Sequence, residues 1–301
     1  MSDPIRQHHV PQLYLRKFAK KEKKIYKTNV LRKGQKKSFK ANIEDIAVEK
    51  HFYTLESEND KYVWEKYYAN EIEPKMKTVL NLIINRCSSS VLSKQARIIN
   101  NDEKALASIV LVFQMLRSKN CREYEKKLYK DLMPEVVQNL KDNFPNSMND
   151  KLDKKIRCIV EDENTFKAII CGISTNLERI DKFASFLYNR TWIFFQLNDE
   201  KEFITSDNPV MFLNSRTLEA TPFQNGLLDN DTVVSFPVSP KILLVMYSEN
   251  KYFGIMNSWD CQKRVLSGKK DDRFIDLQNK LQFEQCNQFV ISKKESVLNK
   301  L

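Results

Sequence analysis

Helical periodicity in this 301-residue sequence is confined to one block, residues 58–190, and strand-like segments stand on both sides of it. That segregation constrains the fold more than any composition figure. A doubly wound α/β sheet needs helix and strand to alternate, whereas separate blocks imply an α+β arrangement. The sequence therefore predicts an α+β protein, a single domain over 1–301. It has a β-rich N-terminal segment (1–57) with a basic hairpin and a helical region (58–190). The remainder (191–301) is a C-terminal, mostly antiparallel sheet that closes against the first segment.

Inside the helical block, Trp64, Tyr68, Ile72, Met76, Val79 and Ile83 recur every three or four residues. Pro74 is expected to kink that helix or to start its second half. Asn101 reads as an N-cap before Asp102 and Glu103, and Leu106, Ile109, Val110, Phe113 and Leu116 make the buried stripe behind it. A third helix covers 122–141, residues 143–150 (NFPNSMND) read as a turn, and one long helix follows with Phe166, Ile170, Leu177, Ile180 and Leu187 on one face. Before the block, residues 24–40 read as strand, turn at Lys33-Gly34, and strand. After it, TWIFFQL and EFIT are expected to form a hairpin through a turn at 199–201 that ends in the polar corner Ser206-Asp207-Asn208-Pro209. PVMFL, VVSFPV, KILLVMY and FVIS supply further strands, with a helix over 272–287.

Charge is as segregated as periodicity. Between Arg16 and Lys40 stand twelve Lys/Arg and one acid, Glu22, an excess that equals the net +11 of the whole chain and leaves the rest balanced. With Phe18, Tyr26 and Phe39 interleaved, such a stretch suits a polyanion, because cations release condensed counterions and aromatic rings stack on bases. A Lys-rich run is equally expected of a solvated hairpin. No uncharged run approaches a bilayer span and the first residues lack an apolar signal core, so a cytoplasmic protein without a membrane partner is expected. Six scattered cysteines without C-x-x-C indicate neither a zinc knuckle nor a disulfide framework. With five glycines there is no phosphate-binding Gly-rich loop, and neither H-E-x-x-H nor G-x-S-x-G occurs.

Three constellations carry candidate chemistry. In HHVPQLYLRKF, His8 and His9 are candidate general acids or bases. Adjacent residues of an extended chain face opposite sides, so only one of the two enters any given site. In FITSDNPV, Ser206, Asp207 and Asn208 cluster at a strand end, although Asp-Asn-Pro is also ordinary turn chemistry. Gln114 and Arg117 lie three apart on one side of a helix, where Arg suits a phosphate and Gln an amide or base edge. Glu71, beside Pro74, is a further carboxylate for a metal or a general base, with a solvated glutamate as the simpler reading.

HHVPQLYLRKF, EKHFYTLE, the helix carrying Glu71, the Gln114–Arg117 pair, TWIFF with FITSDNPV, and FPVSPK together resemble a bacterial family catalogued as domain of unknown function 4238. The resemblance spans nearly the whole chain. It implies that His8, His9, Pro11, Gln12, Ser206, Asp207, Asn208 and Pro209 belong to one site, and it supplies no reaction. The leading expectation is a hydrolase acting on nucleic acid, RNA before DNA, an endoribonuclease of toxin or phage-defence type. In that reading His8 or His9 is general acid or base, and Asp207 orients the imidazole or holds Mg2+ or Mn2+. Gln12, Arg16, Gln114, Arg117, Ser206 and Asn208 contact the substrate. The alternatives are a non-catalytic nucleic-acid-binding protein and an enzyme on a small nucleotide or phosphorylated substrate.

Overall fold

A computed structural model describes residues 5–56, 58–89, 96–144, 154, 162–217, 226–248, 254–267 and 269–301. The architecture is α+β, with N-terminal strands, a helical middle and a mostly antiparallel C-terminal sheet. A short two-stranded sheet pairs β1 (Arg6–His8) with β5 (Val48–Lys50), His8 opposite Val48. Between them the chain makes helix α1 (Gln12–Leu15), a 3-10 turn (Arg16–Phe18) and a basic meander: β2 (Lys20–Glu22), β3 (Ile25–Arg32) and β4 (Phe39–Asn42). The expected hairpin around Lys33-Gly34 is β3–β4, and Gly34 takes the positive φ of +82° that a side chain disfavours. Strand β2 adds a third, unexpected leg to it.

The first helical stretch is broken as Pro74 predicts. Helix α2 (Val63–Tyr67) passes through one π-helical turn (Tyr68–Ile72) into α3 (Glu73–Ser88), with Pro74 in the first turn, where its missing N–H costs nothing. Helix α4 (Asn101–Leu116) is capped by Asn100, one residue before the expected cap. Asn100 Oδ1 accepts from Glu103 N and Glu103 Oε2 from Asn100 N, both at 2.8 Å, a reciprocal capping box that Asn101 is too late to form. Helix α5 (Lys119–Asn143) starts at the Ser118 cap, and residues 145–150 of the expected turn after it lie outside the described residues. The single long helix expected next is two: α6 (Glu163–Ser174) and α7 (Leu177–Tyr188). Asn176 caps the second by accepting from Arg179 N, and Leu177, expected on the buried face, is 67% exposed at that break.

The C-terminal strands divide between two sheets. Strands β6 (Thr191–Leu197), β8 (Met211–Asn214), β9 (Thr232–Ser239), β10 (Ile242–Tyr247) and β11 (Gln262–Leu266) form one sheet in the order β11-β6-β10-β9-β8, antiparallel except for β11 on β6. Strand β7 (Thr205–Ser206) and β12 (Phe289–Ser292) instead join the basic meander, β12 lying between β7 and β3. The expected hairpin of TWIFFQL with EFIT is therefore corrected: β6 pairs with β10 and β11, and the chain crosses to the other sheet before the polar corner. Between β11 and β12 runs helix α8 (Asp272–Gln285), and α9 (Glu295–Leu298) ends the fold.

One apolar cluster joins all three segments, from Tyr14 and Phe18 through Leu80, Val112 and Leu187 to Trp192, Phe236, Leu244 and Ile291. Its burial is the main favourable term holding helices on sheet. Lys104 pins the same junction: its ammonium donates to Asp260 (2.9 Å) and to the Arg190 carbonyl (2.8 Å) and lies over the rings of Tyr188 and Trp192. Among the described residues no helix is long and apolar enough to cross a membrane. The five described cysteines are buried free thiols.

Candidate functional site

Strand alternation separates the two histidines. His8 lines a cavity, and His9 turns inward, 4% exposed, with its ring 5.5 Å from Phe52. Arg117 and Gln114 fix the segment from the end of α4: Arg117 Nη2 donates to the His8 carbonyl at 2.5 Å and Gln114 Nε2 to the His9 carbonyl at 3.2 Å. Arg117 is itself buried, donating to Tyr53 Oη (3.2 Å), facing Glu73 Oε1 (3.4 Å) and stacking over Tyr68 at 4.4 Å. The structure thus brings Gln114 and Arg117 to the histidines, but as clamps on main-chain carbonyls. Their donors are committed to the protein's own groups, whereas the sequence reading puts them on a phosphate or a base edge.

The cavity measures about 590 Å3 and is lined by His8, Gln12 and Arg16 together with Arg6, Glu44 and one row of the broken helix. That row is Glu65, Ala69, Glu73 and Lys77, each four residues from the last and so on one face. Burial, with Arg117 and Arg6 adding to it, lowers His8 from 6.5 to about 4, so its imidazole is neutral at pH 7. Burial raises Glu65 from 4.5 to about 7, with Arg117 opposing and Glu73 assisting, so its carboxyl is poised between its two forms. His8 Nε2 and Glu65 Oε2 are buried without a hydrogen-bond partner among the described residues. Arg16 and Lys77 are exposed and make no ion pair among the described residues, whereas Arg6 is held by Asp45 at 2.6 Å.

Arg16 also connects this cavity to the basic meander, its guanidinium lying 5.4 Å from the Tyr26 ring, which Lys21 approaches at 6.0 Å. Within the meander Glu22 pairs with both Lys27 and Lys40, offsetting one of their two charges, and Lys33 donates to the Glu284 and Cys286 carbonyls at the end of α8. Lys20, Lys23, Lys24, Arg32, Lys36 and Lys37 remain exposed.

The Ser206–Pro209 corner is built differently. Asp207 is 2% exposed, and its two oxygens accept from Asn287 N (2.8 Å) and Gln288 N (2.7 Å). Burial still lifts its carboxyl from 3.8 to about 6. Ser206 Oγ accepts from Asn208 N and from Gln282 Nε2, and Asn208 Nδ2 donates to the Gln285 carbonyl at 3.1 Å. These bonds tie β7 to α8 and β12. Tyr14 Oη and Thr205 Oγ1, 2.6 Å apart, hydrogen-bond one motif segment to the other, and Tyr14 donates to the Pro237 carbonyl. Both Asp207 oxygens thus meet backbone amides, and among the described residues neither is hydrogen-bonded to an imidazole. Glu71, the other expected metal carboxylate, is exposed and paired with Lys75 at 3.1 Å. Among the described residues no three His, Cys, Asp or Glu side chains gather as metal ligands.

A family model described as "Protein of unknown function (DUF4238)" matches residues 6–296. The chain belongs to this family. No curated protein and no solved structure matches it. In this DUF4238 member the cavity residues of the broken helix that sequence reasoning passed over are Glu65, Glu73 and Lys77. Their signal was the four-residue spacing from 65 to 77 beside the apolar stripe of Trp64, Tyr68, Ile72 and Met76, read only for its buried side. The π-helical turn inside that row is a second mark, since such turns recur at functional sites.

Proposed function

We propose that the chain is a hydrolase acting on nucleic acid, with RNA preferred, and that its site is the cavity beside His8. One observation carries the reading. A neutral imidazole and a half-protonated carboxyl share a cavity with the uncommitted cations Arg16 and Lys77, and Arg16 leads directly onto the Lys-rich meander. Two titratable groups pushed apart by their surroundings are the usual mark of an acid–base pair.

RNA carries its own nucleophile, so this inventory suffices. Neutral His8 takes the proton of a ribose 2′-hydroxyl, the 2′-oxygen attacks the adjacent phosphorus, and the P–O5′ bond breaks. Glu65 gives its proton to the departing 5′-oxygen, leaving a 2′,3′-cyclic phosphate and a 5′-hydroxyl. Arg16 and Lys77 balance the charge that builds on phosphorus oxygens, Gln12 orients the phosphate, and the meander steers the strand. His9, Gln114 and Arg117 hold His8 in place, and the Asp207 corner braces the sheet behind the segment. The toxin or phage-defence setting is part of this proposal and rests on analogy.

The test is incubation of the purified chain with labelled RNA, single-stranded DNA and duplex DNA, in magnesium, manganese or EDTA, beside His8→Ala and Glu65→Gln. Cleavage of RNA by the wild type and by neither variant supports the assignment. Unchanged cleavage by the variants moves the site elsewhere, and binding without cleavage favours a nucleic-acid-binding protein. A second reading, an enzyme on a small nucleotide or phosphorylated substrate, draws on the cavity volume, which lies in the range of single-ligand sites. Turnover of a mononucleotide with every polymer left intact selects it.

A further inference from the structure

A second cavity, of about 650 Å3, shares no lining residue with the first. Its walls are apolar and aromatic: Tyr124, Leu128 and Leu132 of α5, Phe183 and Phe186 of α7, and Phe212 of β8. Cavities of this size and lining, with a few placed polar groups, are where small molecules bind. The charged groups here are Glu125 and Arg179, an ion pair joined by one hydrogen bond, Arg179 Nη2 to Glu125 Oε1 at 2.8 Å.

A guanidinium and a carboxylate can meet through two parallel hydrogen bonds. In this pair only one prong is used. Glu125 Oε2 and Arg179 Nη1 are buried without a partner among the described residues, and Glu125 is 5% exposed. One ion pair in the wall of an apolar cavity thus keeps an acceptor and a donor unused, where unpaired polar atoms are costly. Burial lifts the Glu125 carboxyl, with Arg179 opposing, as expected of a pair this poorly solvated.

We infer that this cavity binds an uncharged small molecule with an apolar body and one head, a hydroxyl or an amide, that donates to Glu125 Oε2 and accepts from Arg179 Nη1. An anion meets the carboxylate, a cation meets the guanidinium, and a plain hydrocarbon leaves both atoms unsatisfied. The site is independent of the hydrolase reading, since none of its residues belongs to the cavity beside His8.

Calorimetric titration with three bicyclic probes tests it: 2-naphthol, with one hydroxyl; naphthalene, with none; and 2-naphthoate, with a charge. The expected result is one 2-naphthol per chain, bound about tenfold or more tighter than either of the others, the weight of one or two net hydrogen bonds. Leu128→Trp fills the cavity at a part-exposed position and abolishes binding. The double variant Glu125→Met with Arg179→Met keeps the volume apolar and erases the preference for 2-naphthol over naphthalene. Circular dichroism and the unfolding midpoint confirm that both variants fold. The inference fails if 2-naphthol gives no saturable heat up to its solubility, if naphthalene binds equally well to the wild type, or if folded Leu128→Trp still binds.

Discussion

At the Ser206–Pro209 corner, Ser206, Asp207 and Asn208 spend their side-chain groups on the protein's own amides and carbonyls, while the cavity beside His8 has in its lining His8 Nε2 and Glu65 Oε2, buried and with no partner among the described residues. Both regions are dense in polar residues, both belong to motifs that stand out in the sequence, and both carry carboxyls raised by burial. The difference is in what the polar atoms have left to offer. A carboxylate that already accepts two backbone amides is a strut, and a buried carboxyl or imidazole atom left unpaired keeps hydrogen-bonding capacity that the protein itself does not use.

Exchanging the two regions' most informative residues for alanine breaks the comparison most directly. His8→Ala is expected to lower RNA cleavage about 10^2–10^4-fold while shifting unfolding free energy by less than about 1 kcal/mol. Asp207→Ala should do the reverse, orphaning the Asn287 and Gln288 amides and costing about 2–5 kcal/mol in urea denaturation. An Asp207→Ala protein with the wild-type urea midpoint removes the strut.

Acid–base behaviour sharpens the comparison. With His8 near 4 and Glu65 near 7, kcat/KM for RNA should rise through about pH 4 and fall through about pH 7. Glu65→Gln removes the alkaline limb, and an unaltered limb in that variant assigns the acid to another group. Stability should show the opposed signs of two buried groups. His9, lowered from 6.5 to about 3 by burial and then by Arg117, binds fewer protons folded than unfolded between those values, so its contribution grows as pH rises from about 3 to 6.5. Asp207, raised from 3.8 to about 6, binds more protons folded, so its contribution falls as pH rises across that window. Against the wild-type curve of unfolding free energy with pH, His9→Gln should flatten the rising limb and Asp207→Asn the falling one. A curve left unchanged by either variant places that group's titration outside folding.

The smallest expected effect separates clamp from substrate contact. Gln114→Ala removes one hydrogen bond to the His9 carbonyl and should cost about 1 kcal/mol, with KM for RNA unchanged. A raised KM at unchanged stability instead makes Gln114 a substrate-binding residue.

Much of the fold could be read from local pattern. The helix break follows from Pro74, the basic turn from Gly34, and the helix over 272–285 from its periodicity. The cap at Asn100 was within reach, since Glu103 stands three residues after it and not three after Asn101. The split at Asn176 was hidden because Ile173 and Leu177 keep helical spacing across it. Strand β6 gave no clue to its partners, because burial on both faces removes the alternation that would mark a sheet edge.

The segregation of helix and strand into blocks, the one concentrated positive charge, and the rule that only one of two adjacent histidines can enter a site were settled by the sequence, because each depends on residues a few positions apart. Tertiary structure alone decided that His8 lines a cavity while His9 is buried, that Glu65 lines the same cavity, and that both Asp207 oxygens meet backbone amides. Those outcomes depend on partners distant in the chain: Arg117 and the Ile43–Glu44 backbone for His8, the Asn287 and Gln288 amides for Asp207. Whether a buried polar atom is paired is a property of what packs against it, and no local spacing encodes that.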